Sequence, residues 1–156
     1  MRAVSALLLV LLFAAPFWAQ TAAPSPALTP TEVVRIQLDA LRQNDQPYPD
    51  AGIETTFSFA SPGNQIVTGP VERFGRMIKG GYAVMLDHER AEYDNAVIQD
   101  SRAGVRVTLY TAQGAPSTFL FLLSKQTVEP YEDCWMVDSV VEDERPAYER
   151  GAVTRI

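Results

Sequence analysis

Residues 117–125 read STFLFLLSK, and the interpretation of this stretch decides the architecture. Phe119, Leu120, Phe121, Leu122 and Leu123 follow one another without a polar break. In an extended chain both faces of such a segment are apolar, which predicts a central strand covered on both sides. Its neighbour in sequence alternates instead: Val105, Val107 and Leu109 interleave with Arg106, Thr108 and Tyr110. The chain can turn tightly around Gln113-Gly114, as a hairpin requires. Glu89 to Asp94 reads as an earlier strand, and Cys134 to Val141 as the last one after a turn at Pro130 to Asp133. The second half is therefore an antiparallel sheet of about four strands.

The first half has the period of helices. Thr29, Pro30 and Glu32 form a Thr-x-x-Glu capping box with proline at the first helical position. Val33, Val34, Gln37, Leu38 and Leu41 then share one buried face. Asp50 is the N-cap candidate of a second helix through Ile53, Phe57 and Ala60, stopped by Ser61-Pro62. After a polar loop, Gly69-Pro70 opens a third helix with Val71, Phe74, Met77 and Ile78, closed by Gly80-Gly81. Helices first and antiparallel strands after make an α+β fold.

The chain has 156 residues, 47% hydrophobic and 21% charged, as expected of one globular domain. A net charge of −6 repels phosphate backbones and argues against nucleic acid as a partner. Arg2, the apolar run Ala3 to Ala15 and the small residues around Ala19 have the order of a secretory signal peptide, assigned to residues 1–19. Export to the periplasm or the medium is expected, with membrane attachment only if that segment is retained. Residues 20–30 read as a flexible Ala/Pro-rich lead-in, 31–145 as the domain and 146–156 as a charged tail. Cys134 is the sole cysteine, so no internal disulfide can form, and its apolar strand predicts burial.

Three helices before a long curved antiparallel sheet is the order of the cone-shaped, SnoaL-like fold shared by nuclear transport factor two and ketosteroid isomerase. More narrowly, the sequence resembles the family called domain of unknown function 4864. The blocks that carry the resemblance are VVRIQLDALRQND (Val33 to Asp45), PDAGIETTFSFASP (Pro49 to Pro62) and TGPVERFGRMI (Thr68 to Ile78). Tyr82, Gly114 and CWMVDSVV (Cys134 to Val141) complete it. Tyr131-Glu132-Asp133 departs from the short Asp-Gly that many members carry before the tryptophan, which bears on the turn alone. The resemblance implies three helices packed in the concave face of the sheet. That family has no established activity, so no reaction is implied.

Chemistry inside such a cone uses a carboxylate of raised pKa facing a tyrosine or a protonated acid. The pieces available are Asp45, Asp87, His88, Tyr82, Tyr93, Tyr110 and Asp138, and no spacing motif unites them. Candidates for lining a cavity are Phe57, Phe74, Met77, Tyr82, Tyr110 and Trp135. Strand alternation puts Trp135, Val137 and Ser139 on one face and Cys134, Met136 and Asp138 on the other. His88, the only histidine, sits between two acids and reads as a surface residue, which is too little for a metal site. No GxSxG elbow and no Gly-rich phosphate loop occur. FASP (Phe59 to Pro62) and TGP (Thr68 to Pro70) read as helix punctuation, and Glu142-Asp143-Glu144 as a solvated strand end.

These readings lead to an exported, non-catalytic module, without metal or cofactor, that binds a small apolar or amphipathic molecule or a protein. The doubly apolar strand adds a homodimer through the sheet, since helices cover only one face. The competing expectation is a small isomerase, dehydratase or hydrolase using a carboxylate-tyrosine pair in the cone.

Overall fold

The computed structural model describes residues 22–112 and 114–143. The signal segment and the tail from 146 onward lie outside the described residues, as does Gln113 of the expected hairpin turn. The fold is α+β, with five helices and a five-stranded antiparallel sheet among the described residues.

Helix α1 (Pro30–Arg42) starts as its capping box dictates. The Thr29 hydroxyl accepts from the Glu32 N–H at 3.3 Å, and the Glu32 carboxylate accepts from the Thr29 N–H at 2.7 Å. Its buried face is Val33, Val34, Gln37, Leu38 and Leu41. Helix α2 (Ala51–Ser58) does not begin on an Asp50 side-chain cap. Asp50 takes a left-handed conformation, and its carboxylate is drawn off to Asn44 and Lys79 at 2.9 and 2.7 Å. The Asn44 side-chain oxygen, at the end of α1, accepts from the Ile53 N–H in its place.

The expected polar loop is helix α3 (Pro62–Thr68). Ser61 therefore starts a helix as well as ending one: its hydroxyl accepts from the Asn64 N–H, and Pro62 occupies the first turn. Helix α2 stops at Ser58, before Ala60, because Phe59 to Ser61 pair with the sheet. Helix α4 (Val71–Gly81) follows, then the short α5 (Val84–Asp87), which has no periodicity to betray it.

The strands are β1 (Arg90–Tyr93), β2 (Val97–Gln99), β3 (Arg102–Tyr110), β4 (Ser117–Lys125) and β5 (Trp135–Glu142). The order is β1-β3-β4-β5, with β2 beside the first residues of β3. β1 and β2 together form one edge, broken at residues 94–96 where the register slips by one. β4 is internal, as its composition requires. Val105, Val107, Leu109, Phe119, Phe121, Leu123, Trp135 and Val137 join the helical residues in one core. On the opposite face Leu122 is 39% exposed, so nothing in the described chain covers that side of β4. Alternation along β5 fails at a bulge: Leu123 pairs with Val137 but Leu122 with Ser139, and Asp138 is extra. Beyond it Val140, not Ser139, stands opposite Phe121 on the inner face.

Two glycines permit close backbone approaches, Gly69 in the turn after α3 and Gly52 where α2 meets α1. A Cβ on Gly69 would meet the Gln65 carbonyl at 2.6 Å, and one on Gly52 would meet the Ala40 carbonyl at 2.1 Å. Since these are backbone atoms, Gly52→Ala should lower stability by about 3 kcal/mol, the upper end of overpacking costs. Gly80, with nothing within 4 Å, serves as the control. Gly80→Ala should be neutral or stabilising by up to ~1 kcal/mol, because alanine is the better helix former. Equal urea midpoints for the two variants would contradict the close approach of α2 to α1.

Candidate functional site

Phe59, Ala60 and Ser61 run parallel to β5 through a single bridge, Ala60 to Val137. The Ser61 N–H donates to the Val137 carbonyl at 2.8 Å, and the Val137 N–H donates to the Phe59 carbonyl at 2.9 Å. Side chains of α3 reinforce this strap. Asn64 Nδ2 donates to the Val137 carbonyl at 3.0 Å, and Gln65 Nε2 donates to the carbonyls of Phe57 and Ala60. FASP is thus more than helix punctuation. It ties the helices to the sheet at one line and holds them apart beside it.

Beside that strap lies a cavity of about 440 Å³. Leu41, Phe74, Ile78, Met85, Phe121 and Val137 give it buried apolar walls. The bulge turns Asp138, Ser139 and Val140 along one side, and Asn64, Val67 and Met77 stand toward solvent. Gln37 and Thr56 contribute buried polar atoms.

Of the residues expected to line a cavity, Phe74, Met77 and Tyr82 do so. Phe57 packs behind Phe74, ring centres 5.2 Å apart, and is not part of the wall. Trp135 lies at the far end of β5 with the Lys125 ammonium 5.6 Å from its ring centre. Tyr110 is at the β1 edge, where its hydroxyl donates to Glu92 at 2.7 Å and Arg90 covers its ring. Met77 is 38% exposed at the cavity margin.

The acid and tyrosine candidates are dispersed. Asp45 accepts from the Asp50 N–H in the turn before α2, and Asp87 is exposed at the end of α5. Tyr93 is half-buried beneath Arg35, and burial raises its pKa. Only Tyr82 and Asp138 line the cavity. The Tyr82 hydroxyl donates to the Val140 carbonyl at 3.3 Å. Asp138 is exposed and accepts from the Ser124 hydroxyl at 2.9 Å. They do not converge on a common point as an acid-base pair.

Three local expectations are corrected. His88 is buried, only 4% exposed, because the turn after α5 folds it against α1. Asp143 is not solvated: its side chain is 7% exposed and accepts from Arg106 Nε at 2.7 Å. Ser139 leaves the inner face for the reason given by the bulge. Cys134 is buried, with its thiol pKa raised by desolvation. Among the described residues no three His, Cys, Asp or Glu side chains are grouped to hold a metal, and no helix is long and apolar enough to cross a membrane.

Residues absent from the sequence-based site are Gln37, Thr56, Asn64 and the bulge. Gln37 carried a signal, a lone amide on the otherwise apolar face Val33, Val34, Leu38 and Leu41.

His88 governs a pH response. Its Nδ1 lies 2.8 Å from the Met85 carbonyl, an acceptor, so the neutral ring carries its proton there. Burial lowers its pKa below the usual 6.5; the Met85 bond raises it, Arg42 lowers it and Asp39 raises it. The unfolded chain therefore binds the proton more readily, so stability is complete above pH 6.5 and is lost as pH falls below it. Between pH 7.5 and 5 the urea midpoint should decline in the native protein and lie flatter in His88→Gln. Parallel profiles would exclude His88 as the titrating group.

The family model for a domain of unknown function (DUF4864) matches residues 26–149, and the chain belongs to that family. Comparison with curated proteins and with solved structures yields no match.

Proposed function

We propose that this member of the domain of unknown function 4864 family is an exported, non-catalytic module of the cone-shaped fold. It holds a small apolar or amphipathic molecule between helices and sheet. The observation that carries this is the cavity of about 440 Å³, within the ~300–1,000 Å³ typical of ligand sites. Its buried walls are mostly apolar, and among the described residues its one tyrosine and one carboxylate are turned to other partners. That favours binding over proton transfer, which needs the two groups within reach of one reacting atom. Helices over one face of an antiparallel sheet, with a hollow between, support the cone reading.

A neutral fluorescent probe, N-phenyl-1-naphthylamine, tests it. The probe should bind one per chain with micromolar affinity, and Met77→Trp, which adds bulk at the margin, should weaken binding at least ~10-fold. Unchanged affinity in the variant would place the probe elsewhere and defeat the proposal.

A second reading concerns the outer sheet face. Leu122, Val141 and Val97 are 39, 46 and 62% exposed there, beside Leu120. Arg102 lies at one end of this face and makes no ion pair among the described residues. Glu92, which already pairs with Arg90 and Tyr110 at the exposed surface, lies toward the other end. A two-fold axis across the strands would bring each Arg102 to the other copy's Glu92 while covering the leucines. A second copy of the chain is thus the occupant this face suits. Export rests on the sequence of residues 1–19. Sedimentation and intact mass of the exported protein test both readings. A dimer that Leu122→Asp converts to monomer, with residues 1–19 removed, is expected; a native monomer or a retained Met1 would overturn the respective reading.

A further inference from the structure

We infer that the ligand is an uncharged molecule whose apolar body carries one hydroxyl or N–H donor at its buried end, and that Gln37 Oε1 receives that donor. The inference rests on the ligand-binding reading above and adds the class of ligand to it.

Gln37 lines the cavity and is 98% buried, being 2% exposed. Its amide orientation is determined by chemistry. The group beside it is the Thr56 carbonyl, 3.0 Å away, which can only accept, so Nε2 must be the atom that faces it. Oε1 is thereby directed away from that carbonyl, and among the described residues no donor reaches it. The Thr56 hydroxyl is spent on the Gly52 main-chain carbonyl at 2.8 Å, with the Gln37 main-chain carbonyl at 3.3 Å. A buried amide oxygen without a donor is disfavoured, and a ligand hydroxyl or N–H would relieve it. The surrounding wall (Leu41, Phe74, Ile78, Met85) can contact only hydrocarbon.

Charge narrows the class further. Among the described residues no Lys, Arg or His lines the cavity, and the one carboxylate there, Asp138, is exposed at the margin. A carboxylate or phosphate pushed toward Gln37 would meet an amide oxygen and apolar carbon with no cation to offset its lost hydration. An anionic headgroup is therefore disfavoured at the buried end, where neutral alcohols, phenols and amides are accepted.

Three probes sharing one body separate the outcomes: 4-propylphenol, its methyl ether 4-propylanisole, and 4-propylbenzoate. Calorimetric titration of the mature protein should give 4-propylphenol at least ~10-fold tighter than the ether, with the benzoate weakest. Gln37→Met, similar in volume but without the acceptor, should bring phenol affinity to within about twofold of the ether and leave the ether unchanged. Should that variant fail to fold, the native phenol-to-ether ratio decides by itself. Equal affinities of the native protein for phenol and ether would overturn the role of Gln37 while the cavity reading stood. Binding of none of the three at millimolar concentration would overturn the cavity reading, and this inference with it.

Discussion

The two main-chain hydrogen bonds between Phe59–Ser61 and Val137 set the geometry on which the rest of this protein depends. One bridge is too short to be a strand, yet it joins the helical half of the chain to the last strand at a fixed point. Helix α2 must end there and α3 must begin there, since the same backbone cannot serve the helix and the sheet at once. The bulge one residue further along β5 bends the strand away from the strap. Between the two, the helices approach the sheet without filling the space against it.

That arrangement explains the character of the cavity. Polar side chains near it are mostly committed to backbone partners: Asn64 to Val137, Thr56 to Gly52, Tyr82 to Val140. Such groups hold the walls in place and add little recognition of their own. In the proposed binding role the apolar lining would supply affinity in proportion to the area removed from water, about 25 cal/mol per Å². In that role discrimination would fall to the few polar atoms that the fold has not used, and Gln37 is foremost among them. His88 supports one wall from behind, because its bond to the Met85 carbonyl anchors the turn that carries the Met85 side chain.

Much of the architecture was legible in the residues. The capping box at Thr29 and Glu32 marked the start of α1 to the residue, because its signal is local and chemical. The unbroken apolar run at Phe119 to Leu123 marked an internal strand, because no edge strand would present two apolar faces. The four-residue α5 and three-residue β2 were not legible, being shorter than one period of their pattern. Helix α3 was misread because it buries none of its residues, leaving no apolar stripe. Of the site, Phe74 and Met77 were found on a helix face and Tyr82 among the tyrosine candidates, whereas Phe57, Tyr110 and Trp135 lie elsewhere.

Alone, the sequence determined the α+β class, the order of helices before strands, the central position of β4 and the burial of Cys134. Each of these follows from short-range capping or from the periodicity of apolar residues, which neighbours in sequence specify between them. Tertiary structure decided what lies across space. It set the strap from Ala60 to Val137, the bulge that exchanges Ser139 for Val140, the burial of His88 and the unused oxygen of Gln37. The physical reason is that a hydrogen-bonding group is free or committed only with respect to partners far along the chain, and those partners are assigned when the helices settle against the sheet.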